Sequence, residues 1–135
     1  MTKLKAITVA MLMIFGIGVA MANTVVPPNP KKNPTQAFQY VYNIAVKQNM
    51  ADEWAQYLLG KYYETGYGTK KNIDKAYVWY SLSTDHKYKP AILALAQLKK
   101  TMSAEQIKKD DALTVKTRND SAKRALANIK KQVGY

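Results

Sequence analysis

The sequence predicts an all-α fold: a short solenoid of helix pairs with a basic helical extension at its C-terminal end. Apolar residues recur at helical spacing through most of the chain after residue 33, and no stretch shows the two-residue alternation of a half-buried strand. The stretch 55–83 reads as two amphipathic helices joined by a Gly-x-Gly turn, which is typical of a helix hairpin.

The N-terminal residues 1–22 have the layout of a secretory signal peptide. Lys3 and Lys5 precede an apolar run over residues 6–19, and Ala20-Met21-Ala22 offers a small-x-small cleavage site after Ala22. The alternative is a retained membrane anchor, but the run is shorter than the roughly 20 residues that span a bilayer. The chain has no cysteine, which excludes a lipoprotein anchor and any disulfide. A periplasmic or secreted location is therefore predicted.

A proline-rich linker over residues 23–32 separates this signal from the first predicted helix. Asn33 supplies a cap, Pro34 suits the first turn, and Gln36 stands three residues after the cap. The helix is expected to run to about Lys47 and to end at Gln48-Asn49. Its apolar face comprises Ala37, Phe38, Val41, Ile44 and Ala45.

The central helix pair is the best-defined part of the sequence. The apolar stripe of its first helix comprises Ala51, Trp54, Ala55, Leu58, Leu59, Tyr62 and Tyr63. Gly60 costs about 1 kcal/mol relative to alanine in mid-helix, which indicates a close approach by another backbone. Gly66 suits the left-handed residue that ends a helix, and Asn72 suits the cap of the next. That next helix is predicted to carry one side formed by Ile73, Ala76, Tyr77, Tyr80 and Ser83 or Thr84, with Trp79 beside them.

This pair resembles the Sel1-like repeat, a helical repeat related to the tetratricopeptide repeat. The matching positions are Ala55, Leu59-Gly60, Tyr63, Gly66-x-Gly68, Asn72, Lys75-Ala76, Trp79-Tyr80 and Leu82-Ser83. Thr69 stands where the family favours valine, and Asn72 stands where it favours aspartate. Both departures are conservative for packing and capping. Residues 37–45 and 90–99 resemble flanking half-repeats, so the repeat region is placed at 33–102 with a full repeat at about 51–86. The resemblance implies a bacterial adaptor that works through protein–protein contacts, often in the cell envelope.

Residues 103–135 are predicted to form a capping helix and a basic C-terminal helix. Pro90 begins the preceding helix, whose buried face is Ala91, Ala94, Leu95 and Leu98. Ser103 to Gln106 form a capping box, and residues 104–115 are expected to cover the Ala91 and Leu95 side. Asn119-Asp120-Ser121 either caps a separate last helix or lies within one long helix. The tail stripe comprises Ala122, Ala125, Leu126, Ile129 and Val133.

The sequence predicts no enzyme, no cofactor and no metal site. His86 is the single histidine, and no serine or cysteine nucleophile stands in a recognisable motif near it. One histidine without cysteine cannot build a usual zinc cage. Asp110 and Asp111 point about 100° apart on a helix, so they are expected to be two solvated carboxylates rather than an acid–base pair.

Candidate partner-binding residues are Tyr57, Tyr67 and Tyr77, because tyrosine gives a large contact area with few rotatable bonds. Packing within the repeat is the alternative explanation for each. The sequence also has a formal net charge of +12, which falls to +10 when Lys3 and Lys5 leave with the signal. The late basic residues are candidates for binding an anionic surface: Lys108, Lys109, Lys116, Arg118, Lys123, Arg124, Lys130 and Lys131.

Two functions are therefore considered. The first is an exported protein–protein interaction module, an adaptor or scaffold of the bacterial envelope, with a protein or peptide partner. The alternative is a cationic protein that binds envelope phospholipid, polysaccharide or acidic protein through its C-terminal helix; a merely solvated helix would explain the same charge. Nucleic acid is not expected as the partner of an exported protein.

Overall fold

The computed structural model describes residue 29 and residues 31–47 and 52–133. These residues form α1 (Pro34–Lys47), α2 (Glu53–Thr65), α3 (Ile73–Thr84), α4 (Lys89–Lys99) and α5 (Ala104–Val133), without a strand among them. The predicted all-α fold is thus confirmed. The signal peptide at 1–22, most of the linker at 23–32, the helix break at 48–49 and Ala51 lie outside the described residues. None of the described helices combines the length and apolarity needed to cross a bilayer.

The predicted helix caps are confirmed by their hydrogen bonds. Asn33 Oδ1 accepts from the Gln36 amide at 3.0 Å, and Asn72 Oδ1 accepts from the Lys75 amide at 2.8 Å. At the start of α5, Ser103 Oγ accepts from the Gln106 amide at 3.1 Å while the Gln106 side chain accepts from the Ser103 amide at 3.0 Å. These bonds satisfy amides that the first helical turn leaves without partners.

Helices α2 and α3 form an antiparallel hairpin around the Gly66–Gly68 turn. Gly66 ends α2 with φ of 77°, the left-handed conformation that glycine adopts readily. Across the hairpin, Ser83 Oγ donates to the Glu53 carbonyl at 2.7 Å. A Cβ at Gly60 would lie 2.6 Å from Tyr80 Cδ1. The close approach predicted at Gly60 is therefore made by an aromatic ring rather than by backbone.

Helix α3 is enclosed by its neighbours. All residues from Ala76 to Ser83 are buried, because α2, α4 and α5 each pack against a different side of the helix. The prediction that this helix has one packing side is therefore wrong, because more of its surface is buried than the predicted side. A helix with packing partners all round also buries residues off the predicted side, polar ones included, and Ser81 is buried.

Helices α1 and α4 each bury one face. In α1, the side chains of Ala37, Phe38, Val41 and Ala45 are buried as predicted. The Phe38 ring meets the Tyr63 ring edge-on, with 5.4 Å between centroids. In α4, Ala91 and Leu98 are buried, whereas Ala94 and Leu95 are half-buried.

The buried face of α2 differs from the predicted stripe at Trp54. It comprises Ala55, Gln56, Leu59, Gly60 and Tyr63, so the face that packs is turned toward Gln56 and Gly60. Trp54 stands about 100° from Ala55 on the side away from Gln56. Its side chain is consequently 45% exposed.

Helix α5 is one continuous helix of 30 residues, so Asn119 to Ser121 lie inside it rather than at a break. It runs parallel to α3: Lys109 pairs with Asp74 at the start of α3, and Arg118 pairs with Asp85 at its end. Residues 104–118 therefore cover α3, not the Ala91 and Leu95 side of α4 as predicted. The later residues of α5 continue past the end of α3 and are mostly exposed.

Candidate functional site

An open groove with a volume of about 490 Å³ lies between α2, α3 and α4. One face of α2 and one face of α4 form its walls, and a tyrosine of α3 lies between them. Its lining residues are Tyr57, Lys61, Glu64, Tyr80, Lys89, Pro90, Leu93, Ala94 and Gln97. This surface is called the α2–α4 groove below.

The α2–α4 groove has aromatic residues in its centre and mixed polarity around them. The ring of Tyr57 lies 5.8 Å from that of Tyr80 and 5.6 Å from that of Tyr88, measured between centroids. The Tyr80 hydroxyl donates to the Glu64 carboxylate at 2.5 Å. Burial, followed by this carboxylate, raises the pKa of Tyr80 well above its ordinary value, so its hydroxyl stays protonated. Leu93 is 67% exposed beside these groups.

The three candidate tyrosines do not form one surface. Tyr57 lines the α2–α4 groove, whereas Tyr67 lies in the turn after α2 with its ring 5.1 Å from that of Tyr62. Tyr77 is fully buried, and its hydroxyl donates to Asp111 at 2.7 Å. Burial and this carboxylate raise the pKa of Tyr77. The hypothesis that Tyr77 contacts a partner is therefore wrong for this fold, because α5 covers that side of α3.

Sequence reasoning missed the contribution of α4 to the groove. Pro90, Leu93 and Gln97 line it, and none of them was a candidate. Leu93 could have been identified as a candidate, because it is a large apolar residue that lies off the buried face defined by Ala91 and Leu98. Placing it beside Tyr57 requires knowing how α4 packs on the hairpin.

Three of the eight candidate basic residues pair with carboxylates. Lys109 contacts Asp74 at 2.6 Å, Lys116 contacts Asp120 at 2.9 Å, and Arg118 holds Asp85 through two nitrogens. The Asp74 hydrogen bond raises the pKa of Lys109, and the Lys116 hydrogen bond lowers the pKa of Asp120. Among residues 52–133, the other five are exposed and form no ion pair: Lys108, Lys123, Arg124, Lys130 and Lys131.

Asp110 is buried, contrary to the expectation of a solvated carboxylate. Its side chain faces the repeat and neither carboxylate oxygen has a hydrogen-bond partner in the described structure. Burial raises the pKa of Asp110, the nearby carboxylates of Asp74 and Asp111 raise it further, and Lys109 opposes them. The neighbouring Asp111 is exposed and accepts the Tyr77 hydroxyl, so the two carboxylates do not act as a pair.

We expect Asp110→Asn to stabilise the protein at pH 7 by about 1 kcal/mol, a few degrees in Tm, because it removes a buried charge but retains a polar side chain. The raised pKa means that the folded state binds the Asp110 proton more tightly than the unfolded state. The contribution of Asp110 to the free energy of unfolding is therefore most favourable below the ordinary pKa of 3.8, and it falls as pH rises through the raised pKa. The gain from the substitution should accordingly shrink towards pH 4.

Urea unfolding of both proteins at pH 4 and pH 7 checks this prediction. Asp111→Asn is the matched control: it makes the same charge change one residue away, but it weakens the hydrogen bond from Tyr77 and should bring no gain. A stability loss for Asp110→Asn at pH 7 would contradict the prediction.

In the part of the chain that the structure describes, no three histidine, aspartate or glutamate side chains converge as metal ligands. His86, the single histidine, is exposed in the turn between α3 and α4. The arrangement that the described residues offer is a recess between helices, with tyrosines in its centre and both polar and apolar residues around them.

Comparison with known protein families gives one result. The family model described as Sel1 repeat matches residues 27–42 and 55–88. The second segment spans the α2–α3 hairpin and the turn after it, and the first includes the start of α1. Searches of curated proteins and of solved structures gave no match.

This match supports a Sel1-like repeat protein, as the sequence resemblance indicated. Sel1 repeats generally mediate protein–protein interaction, and proteins of this family are typically not enzymes.

Proposed function

We propose that this protein is an exported protein–protein interaction module of the bacterial cell envelope, an adaptor or scaffold that binds its partner in the α2–α4 groove. The observation that carries the proposal is the groove itself, an open recess with Tyr57 and Tyr80 at its centre and Leu93 exposed at its edge. The Sel1 repeat match supports the interaction role, and residues 1–22 support export.

The size of the groove suits a short protein segment. Its volume of about 490 Å³ is enough for a few side chains rather than for a folded domain. Aromatic and leucine side chains that are partly exposed in a recess gain contact area at small entropic cost when a partner covers them. Lys61, Lys89 and Gln97 stand around the recess and offer hydrogen bonds that fix the orientation of the segment.

We expect Leu93→Ser to weaken partner binding about tenfold or more, because the large apolar contact at the edge of the groove is lost. The matched control is Ile92→Ser on the same helix: Ile92 is 45% exposed but does not line the groove. Both substitutions leave the net charge unchanged. The immobilised chain from Asn23 to Tyr135 would be used to retain proteins from envelope extract at low and at high salt.

Retention of a discrete protein at high salt, lost with Leu93→Ser and kept with Ile92→Ser, is the expected result. Equal retention by the two variants would exclude the groove as the binding site. Retention of many anionic species at low salt alone would instead support the second candidate.

That second candidate is a cationic protein that binds anionic envelope surfaces through α5. It is favoured by the exposed side chains of Lys123, Arg124, Lys130 and Lys131, for which residues 52–133 provide no ion pair. Binding of this kind weakens steeply as salt screens the charges, whereas apolar contact in the groove does not. Lys109 and Arg118 contribute less to such a surface because each is paired with a carboxylate of α3 or its C-terminal cap.

A further inference from the structure

Residues 115–133 of α5 carry an apolar stripe that no described residue covers. Val115, Leu126, Ile129 and Val133 are 51%, 54%, 55% and 61% exposed. Together with the exposed Ala122 they follow spacings of seven, four, three and four residues, and Asn119 falls on the same line. This is the a/d pattern of a helix that packs along another helix, with the single polar residue that often fixes register. These six positions are called the α5 stripe.

One flank of the α5 stripe is uniformly basic. Lys116, Lys123 and Lys130 are exposed and recur at seven-residue spacing, each directly after a stripe residue. They occupy the heptad position that meets the flank of a packed partner. On the other flank Arg118 is held by Asp85, so this side is directed toward the body of the repeat. A helix that lies on the stripe would therefore meet the lysine flank.

The charges decide against a second copy of this chain as the occupant. In a parallel pair the lysine flank would face Arg118, Ala125 and Gln132, and in an antiparallel pair it would face the same lysines. Either arrangement places like charges together or leaves Lys123 and Lys130 without a carboxylate. An acidic flank on the partner would supply carboxylates to these two lysines and would compete with Asp120 for Lys116.

A bilayer fits the α5 stripe less well than a helix does. Interfacial helices carry bulky aromatic or leucine residues over a wide apolar face. The α5 stripe has no aromatic residue, includes Ala122, and is interrupted by the amide of Asn119. Its width corresponds to a helix–helix seam.

We infer that the α5 stripe binds an amphipathic helix of another protein, with apolar residues along its seam and glutamate or aspartate along the flank that faces Lys116, Lys123 and Lys130. The first half of α5 is anchored on α3 by ion pairs at Lys109 and Arg118. The second half continues the same helix, so little ordering entropy is lost when a partner helix packs on it. This inference does not depend on the α2–α4 groove, which involves other helices.

The test uses a synthetic helix of about 21 residues, three heptads, with leucine at both seam positions and glutamate on the facing flank. Fluorescence anisotropy would measure its binding to the chain from Asn23 to Tyr135. Saturable binding is expected. The double variant Leu126→Ser/Ile129→Ser should bind at least tenfold more weakly, and so should Lys123→Glu/Lys130→Glu. The charge-matched control Arg124→Glu/Lys131→Glu, off the seam, should change the affinity by less than about threefold.

Several results would overturn the inference. They are no binding of the acidic helix, equal effects of the two charge-reversed pairs, equal binding of a lysine-flanked version of the helix, and dimerisation of the chain that Leu126→Ser/Ile129→Ser abolishes. Tighter binding to phosphatidylglycerol vesicles than to the helix would overturn it too, in favour of a lipid surface. Leu93→Ser should leave helix binding unchanged, so this inference and the proposed function fail separately.

Discussion

Gly68→Ala is expected to lower the free energy of unfolding by about 2–4 kcal/mol and to loosen α1 from the hairpin. Gly68 has φ of 67°, which costs a residue with a side chain about 1 kcal/mol. A Cβ there would also collide with the Pro34 carbonyl oxygen and lie 2.6 Å from the Pro34 carbonyl carbon. These atoms belong to the backbone at the start of α1, so the clash is relieved only by moving the helix, a cost of about 1–3 kcal/mol.

Gly66→Ala is the matched control for this substitution. Gly66 also has positive φ, at 77°, but a Cβ there would meet no atom closer than 3.3 Å. Gly66→Ala should therefore lower the free energy of unfolding only by the conformational cost of about 1 kcal/mol. Urea unfolding measures both variants, and the near-ultraviolet signal from the Phe38 and Tyr63 rings reports on the docking of α1. Equal losses for the two variants would show that α1 does not depend on close contact with Gly68.

Deletion of residues 103–135 is expected to remove most of the cooperativity of unfolding. The deletion uncovers the side of α3 that α5 covers, including the buried ring and bonded hydroxyl of Tyr77. Exposing a large buried side chain costs about 1.5–3 kcal/mol, and the half-buried Ile107 and the ion pairs of Lys109 and Arg118 are lost with it. A loss of more than about 3 kcal/mol is a large fraction of the roughly 5–15 kcal/mol by which domains are stable.

The shorter deletion of residues 122–135 provides the comparison. Of its described residues, all but the half-buried Ala125 are exposed. Its removal should change the free energy of unfolding by no more than about 0.5 kcal/mol. Circular dichroism melts of the two truncations separate the roles of the two halves of α5. If removal of 103–135 leaves helicity and Tm unchanged, α5 does not act as a cap.

The local features of the fold could be predicted because they depend on residues close in sequence. Asn72 caps α3 through an amide three residues away, and Gly66 ends α2 through its own φ. The features that were predicted wrongly depend on contacts between residues that are far apart in the sequence. The Tyr77 hydroxyl donates to Asp111, which lies 34 residues further along the chain. The apolar pattern of neither helix indicates that α5 packs parallel to α3.

The candidate site was predictable in part for the same reason. Tyr57 was a candidate because tyrosine suits recognition in general, and it does line the α2–α4 groove. Leu93 was missed because its place beside Tyr57 is set by the angle between α4 and the hairpin. Asp110 was misjudged because its charge indicates solvent, whereas a packed helix buries whatever residue falls on its inner face.

Because α3 is enclosed, its residues mainly determine how much of the protein is folded, whereas residues of the outer helices determine which partner it binds. From Ala76 to Ser83 every residue of this helix is buried, and of these residues Tyr80 also lines the α2–α4 groove. A substitution there at any residue other than Tyr80 would change how many molecules are folded, and therefore how many escape degradation, without altering what the folded molecules recognise. Selection for a new partner acts mainly on the outer helices, while α3 remains the same internal support for each of them.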